Sequence, residues 1–326
     1  MNPRPPDPAP TDSARHGVLL ALLAGVLLGV TVPFAKRAFA PPMPPMFAAA
    51  WLYVTAGLAF LPAVLARRPA PARRLVRRDL RFVLSAALIG CVAAPYAYVR
   101  GLTALPSYVV GLLVNLEAVF GVLVAIICFH ERVGRRRRAG LLLLIAGAVL
   151  TAALSTRGGG DGASGSTLAG VLWIAAACLA WAFDTNLLAP VSARDPRAIL
   201  VIHNFVGGAI AFLVSGCLGA WWPSVPGETL ALGAAVGVVG YGLSLWLILR
   251  ALACLGAART NAIFLVTSAI TAVVASALVL HESIPLWILG SLALLQGGVR
   301  LVASAEPEEP SGGASGGEGD APGTSA

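Results

Sequence analysis

Glu117 stands near the middle of an apolar run extending from about residue 104 to 129. Ionised and unpaired in hydrocarbon, a carboxylate costs several kcal/mol, on the order of the insertion scales, so it must face protein or water or carry a proton. Two kinds of chemistry suit it: reversible protonation coupled to movement, and pairing with an amine. A structural acid, bonded to a neighbouring helix through Asn115 or a tyrosine, is the alternative. Asp184, with Asn186 two positions on, and His203, with Asn204 beside it, flank a short loop. Asp184 and His203 can therefore meet at one end of a cavity, where an imidazole beside an acid can change charge near neutral pH. A hydrogen bond that only pins two helices is the plainer reading. Arg100 and Arg250 suit contact with an anionic group or gating pairs with acids, although snorkelling to headgroups is simpler. Tyr96, Tyr98, Tyr108 and Tyr241 can line a cavity or sit at a membrane interface.

The elements that must hold these groups are membrane spans. Of 326 residues, 58% are hydrophobic and only 12% charged, with a mean hydropathy of +0.83. A soluble domain is about 45–50% apolar and about 25% charged, so a water-soluble enzyme, a disordered chain and a disulfide scaffold are all excluded. A spanning helix needs roughly 20 apolar residues. Ten segments qualify, at about 17–35, 45–65, 80–100, 104–129, 139–155, 168–190, 198–220, 228–250, 258–280 and 285–303. Strands are excluded, because an open sheet leaves its backbone unsatisfied in lipid.

The net charge of +8 does not point to nucleic acid, because its distribution is that of loops on a membrane. Lys36 is the only lysine, and most arginines fall in two clusters between apolar runs. With the N-terminus cytoplasmic, 19 basic residues lie inside and 4 outside, the asymmetry that sets orientation. Ten spans then bring both termini to the cytoplasmic side of a cell membrane, with the Arg67–Arg81 and Arg132–Arg138 loops against anionic headgroups. Cys91, Cys128, Cys178, Cys217 and Cys254 all lie in apolar segments without a CxxC pair, and read as small buried hydrophobes.

The chain divides into a polar N-terminal tail (1–15), five helices (16–155), a Gly/Ser linker (156–167), five more helices (168–303) and an acidic Gly-rich tail (304–326). The halves match. FHERV (Phe129–Val133) corresponds to LHESI (Leu280–Ile284), and VRGLTAL (Val99–Leu105) to LRALACL (Leu249–Leu255). Arg and Glu are 31 residues apart in the first half and 32 in the second. Five helices per repeat force opposite orientations, and the flanks agree: Arg135–Arg138 follows the first His-Glu pair, Ile284-Pro285-Leu286-Trp287 the second. The expectation is an all-α integral membrane protein of two inverted-topology repeats. Gly25xxxGly29 and Gly233xxxGly237 are expected at close helix contacts, and Glu131 and Glu282 at helix ends as caps or loop partners.

These residues resemble the EamA type of the drug/metabolite transporter superfamily over about 17–303. The resemblance rests on Glu131 and Glu282, on Tyr241–Phe264 and on Ala177–Pro196. In one bacterial subgroup the sixth helix carries Gly-Ile-Asp-Asn-Asn, where this chain has Ala182-Phe183-Asp184-Thr185-Asn186; His203-Asn204 replaces a Lys-Gly pair. The resemblance implies helices one to four and six to nine around a central cavity, five and ten outside it, and transport of small metabolites or drugs. An intramembrane enzyme is the competing class, but neither His-Glu pair extends to His-Glu-x-x-His, and there is no GxSxG elbow and no Walker loop. A transport-inactive receptor or scaffold is the third. No cofactor and no metal are expected; a small-molecule substrate and the lipid bilayer are the expected partners, with a homodimer open.

Overall fold

The computed structural model describes residues 11–66, 74–129, 134–157, 164–191, 194–222 and 224–304. Among these every regular element is helical. The helices are α1 (Thr11–Ala38), α2 (Pro45–Leu65), α3 (Arg77–Ala104), α4 (Ser107–Leu113 and Leu116–Phe129), α5 (Arg135–Arg157), α6 (Ser164–Leu188), α7 (Pro196–Cys217), α8 (Gly227–Leu255), α9 (Ala257–Leu280) and α10 (Trp287–Ala303). The first nine contain stretches long and apolar enough to cross a membrane; α10 is shorter. The protein is an all-α integral membrane protein. Large apolar side chains stay exposed along the bundle's outside, among them Leu22 and Leu23 of α1, Leu142 and Val149 of α5, and Val274 and Leu278 of α9. Such a surface is stable only against lipid.

Two boundaries differ from expectation. α1 begins at Thr11, inside the expected tail, since the proline run ends at Pro10 and no proline recurs before Pro33. α5 runs to Arg157 and α6 starts at Ser164, so helix enters the expected linker from both sides. Of the two caps, Glu131 lies outside the described residues.

The packing partners exchange under the relabelling of α1–α5 as α6–α10. α1 packs on α8 and α9, as α6 packs on α3 and α4; α2 packs on α7, and α5 on α10. The α5–α10 pair flanks the bundle. Small residues set the closest approaches: a Cβ on Gly25 would come 2.7 Å from the Phe264 carbonyl oxygen of α9, so these backbones meet as the small-xxx-small spacing expects.

Three helices are irregular at mid-span. α3 contains a π-helical turn, Ile89–Ala93, and α8 another, Gly237–Leu243. Pro95 follows the first turn. A proline has no N–H to donate and its ring crowds the carbonyl four residues back, and the wider turn relieves that conflict. α4 is interrupted at Val114–Asn115. An unwound segment at this depth must be satisfied by protein or face a cavity, and it is: the Cys178 thiol of α6 lies 3.6 Å from the Leu113 carbonyl and 3.7 Å from that of Val114.

At one end of the bundle, Glu282 accepts from the backbone N–H of Ser107 at 3.0 Å and of Tyr108 at 3.3 Å. It also pairs with Lys36 at 3.2 Å. It thus caps α4, the structural role expected of it. At the other end, Arg194 holds Asp79 at 2.8 Å.

Candidate functional site

The irregular turns of α3, α4 and α8 converge with α2, α6 and α7 on a polar centre. Its core is the Asp184–His203 pair. Asp184 Oδ1 of α6 lies 2.8 Å from His203 Nε2 of α7, and both residues are buried. The other ring nitrogen, Nδ1, faces Asn204 Oδ1 at 3.0 Å and Cys91 Sγ of the α3 π-turn at 3.3 Å. Asn204 Nδ2 donates to the Tyr241 carbonyl in the α8 π-turn at 3.5 Å. Gly90 makes room for the pair, because a Cβ there would overlap the Asp184 carboxylate.

This partner set suits the imidazole in both of its forms. A neutral ring protonated on Nε2 donates to Asp184 and accepts the Cys91 thiol at Nδ1; a charged ring donates to both Asp184 and Asn204 Oδ1. The cluster can hold or release a proton without leaving a ring nitrogen unsatisfied. Among the described residues no group of three or more His, Cys, Asp or Glu side chains is placed to hold a metal ion.

Aromatic rings cover the adjoining side. Tyr53 of α2 meets Tyr241 edge-on, centroids 5.4 Å apart. Tyr98 of α3 tilts against Trp181 of α6 at 5.5 Å, and Trp181 Nε1 lies 3.3 Å from the Tyr53 hydroxyl. Glu117 emerges just past the α4 break, half-buried, within electrostatic range of Asp184, Tyr241 and Cys178. Its carboxylate makes no hydrogen bond and no ion pair among the described residues. Asn115 donates through Nδ2 to the Leu112 carbonyl at 3.0 Å, while its buried Oδ1 has no partner.

The structure thus brings together Glu117, Asn115, Asp184, His203, Asn204, Tyr98 and Tyr241. It separates the others. Asn186 donates to the Ala182 carbonyl of its own helix at 2.8 Å. Tyr96 packs edge-on against Trp173 at 5.9 Å, away from Tyr98. Arg100 stacks over Trp173 at 5.6 Å and Arg250 over Trp246 at 4.9 Å. Both arginines are exposed and neither pairs with an acid among the described residues, the arrangement of snorkelling cations rather than gates. Arg100 and Trp173 line a cleft of about 510 Å³ between the α1–α2 connection, α3 and α6. Cys217 is exposed rather than buried, because it ends α7 where the bundle no longer covers it. Tyr53, Trp181 and Cys91 completed the site without being singled out in the sequence. Cys91 and Cys178 carry polar contacts as well as filling space.

Ten helices, three of them interrupted beside a polar, partly aromatic centre, define a multi-pass membrane protein. Comparison with known proteins agrees. Residues 15–153 match the EamA-like transporter family, the type that the sequence resembles. It is 27% identical over 273 residues to an uncharacterized transporter of Methanothermobacter thermautotrophicus, covering 79% of this chain and 78% of that protein. A solved crystal structure superposes with a TM-score of 0.64 at 19% identity, covering 88% of this chain and 98% of that one; it shares the fold.

Proposed function

We propose that the chain is a secondary transporter, exporting or exchanging a small metabolite or drug-like molecule across the cytoplasmic membrane by alternating access, with protonation of Glu117 as the coupling step. One observation carries the reading: an acid without hydrogen-bond or ion-pair partners, beside a break in α4, next to an Asp184–His203 pair that has partners in either protonation state. A scaffold has no need of such a group.

The exchange of packing partners between the halves supports an inverted repeat with an in-plane axis through the α2–α7 and α5–α10 contacts. In that arrangement both termini are cytoplasmic. Rocking one half against the other would expose the same centre to each side in turn. A proton on Glu117 removes a charge from the centre and changes which state is favoured, whereas facilitated diffusion needs no such switch.

Metabolite profiling of a deletion strain against an overexpressor identifies the transported compound, which is then loaded into proteoliposomes. The wild type should accelerate its flux down an imposed pH gradient. Glu117→Gln should fold and insert normally yet lose the gradient-driven component. Full gradient-driven flux in that variant would refute the coupling role, and no difference between the strains would refute transport.

A further inference from the structure

We propose that the central site takes an organic cation, an amine or ammonium group carried on an apolar or aromatic body. The inference rests on the transporter reading for its physiological meaning. Its chemistry comes from three features of the site.

The first is charge. The acidic and basic side chains at the centre are two carboxylic acids, Glu117 and Asp184, and one imidazole, His203, beside the thiols of Cys91 and Cys178 and the phenols of Tyr53, Tyr98 and Tyr241. One imidazole can offset at most one of two carboxylates. The permanent cations lie elsewhere: Arg100 and Arg250 stack on tryptophans while exposed, and Lys36 is held by Glu282 at a bundle end. With Glu117 ionised, an entering anion would meet net negative charge with no guanidinium or ammonium to receive it, and a cation would relieve that charge.

The second is the balance of donors and acceptors. Four nitrogen donors here are engaged: Trp181 Nε1 reaches the Tyr53 hydroxyl, Asn115 Nδ2 the Leu112 carbonyl, Asn204 Nδ2 the Tyr241 carbonyl, and His203 Nε2 the Asp184 carboxylate. Two acceptors at the α4 break have no partner among the described residues, the Glu117 carboxylate and the buried Asn115 Oδ1. A ligand that completes this site brings N–H donors. Carboxylates, phosphates and sulfates bring the wrong complement.

The third is the wall. Tyr53, Tyr98, Tyr241 and Trp181 form a continuous aromatic surface beside the acids. Ring faces attract cations and their area binds an apolar body. A charged pole set against an aromatic wall fits a molecule with one cationic end and one greasy end, and not a small inorganic ion.

The experiment uses the full-length protein in nanodiscs, with benzylamine and benzoate as probes of equal size and opposite charge. Benzylamine should raise the thermal unfolding midpoint and compete with a fluorescent aromatic ammonium dye; benzoate should do neither. Glu117→Gln should weaken benzylamine binding roughly tenfold to a hundredfold, the worth of a charge-assisted hydrogen bond. Trp181→Leu should weaken it by a smaller factor, and both variants are checked for folding by size-exclusion chromatography. If Glu117→Gln does not fold, competition by a series of neutral, anionic and cationic benzyl compounds on the wild type decides. Selective binding of benzoate, or equal benzylamine affinity in wild type and a folded Glu117→Gln, overturns the proposal. Metabolite profiling separates the two readings. An anion as the transported compound leaves transport standing and overturns the cation site, whereas benzylamine binding without any strain difference supports the site and overturns transport.

Discussion

Replacing Gly90 by alanine tests the centre at its tightest point. Two effects of opposite sign compete. Alanine is the better helix former, by about 0.8–1.0 kcal/mol in a regular helix. Against this, the new methyl would overlap the Asp184 carboxylate across the α3–α6 contact. Overpacking of this kind costs about 1–3 kcal/mol. If Asp184 also swings away from His203, leaving a buried partner uncompensated, the cost approaches about 3–5 kcal/mol. The overlap therefore wins, and Gly90→Ala should be clearly less stable than the wild type. Gly121→Ala is the control: it lies in the second segment of α4 with nothing within 4 Å of an added Cβ, so only the propensity gain remains and stability should hold or rise. Removing the obstacle should remove the penalty. In an Asp184→Ala background, Gly90→Ala should cost nothing further, a non-additivity of at least about 1 kcal/mol. The assay is thermal unfolding in detergent at a fixed scan rate, followed by the fluorescence of the 7 tryptophans. Additive losses, or a Gly90→Ala protein as stable as wild type, would refute the claim that Gly90 exists to admit Asp184.

Glu282→Ala should lower stability by about 0.5–2 kcal/mol from the lost α4 cap alone; Glu282→Gln, which keeps an acceptor, should lose less, both read by the same unfolding assay. Gly29→Leu should disrupt the α1–α9 contact, since a Cβ there would come 2.7 Å from Thr271 Cβ and 2.9 Å from the Ala272 nitrogen, backbone that cannot yield; loss of monodisperse protein on size exclusion is the expected readout. A cysteine at Gly316, in a background without the native cysteines, should be labelled by an impermeant maleimide only after the cells are opened, and labelling of intact cells would overturn the cytoplasmic C-terminus.

The helices were legible because lipid enforces them: apolar runs of sufficient length, bounded by arginines, allow only helix. The Asp184–His203 meeting was legible because a loop of few residues joins α6 to α7, although the two helices pack less on each other than on α3, which both contact. What escaped was local. The interruption of α4 has neither glycine nor proline at Val114–Asn115 to announce it; the only signal is a polar asparagine in an apolar run. The π-turn of α3 follows from Pro95, but the sequence alone allows a kink there as readily as a widened turn. Asn186 misled because an asparagine in a helix often bonds its own backbone, as here to Ala182. Cys91 looked like filler because nothing in its neighbourhood in sequence shows that His203 will stand beside it. Arg100 and Arg250 look alike as gates or snorkels until the flanking tryptophans are seen to hold them at the surface.

The chemistry of the centre is asymmetric on a scaffold that is nearly symmetric. The offset that aligns Arg100 with Arg250 also aligns Gly90 with Gly240, Cys91 with Tyr241, and Tyr53 with His203. In space the same pairs of helices meet at these positions, although the offset itself pairs Asp184 with Phe34 rather than with Thr31. Gly90 abuts Asp184 of α6, and Gly240 abuts Thr31 of α1. Cys91 touches His203, and Tyr241 touches Tyr53. Both π-turns occupy the same place in their halves, so the fold builds one kind of contact twice. One copy carries a thiol, an imidazole and a carboxylate; the other carries two phenols and a hydroxyl. Glu117 follows the same pattern, since its counterpart is about Ser268, whose hydroxyl only bonds back to the Leu265 carbonyl at 3.2 Å. Backbone geometry cannot account for the difference, because both copies satisfy it. On the proposed function, the charged copy is the half that exchanges a proton, and the phenolic copy opposite it is the aromatic wall against which an amphipathic cation would lie.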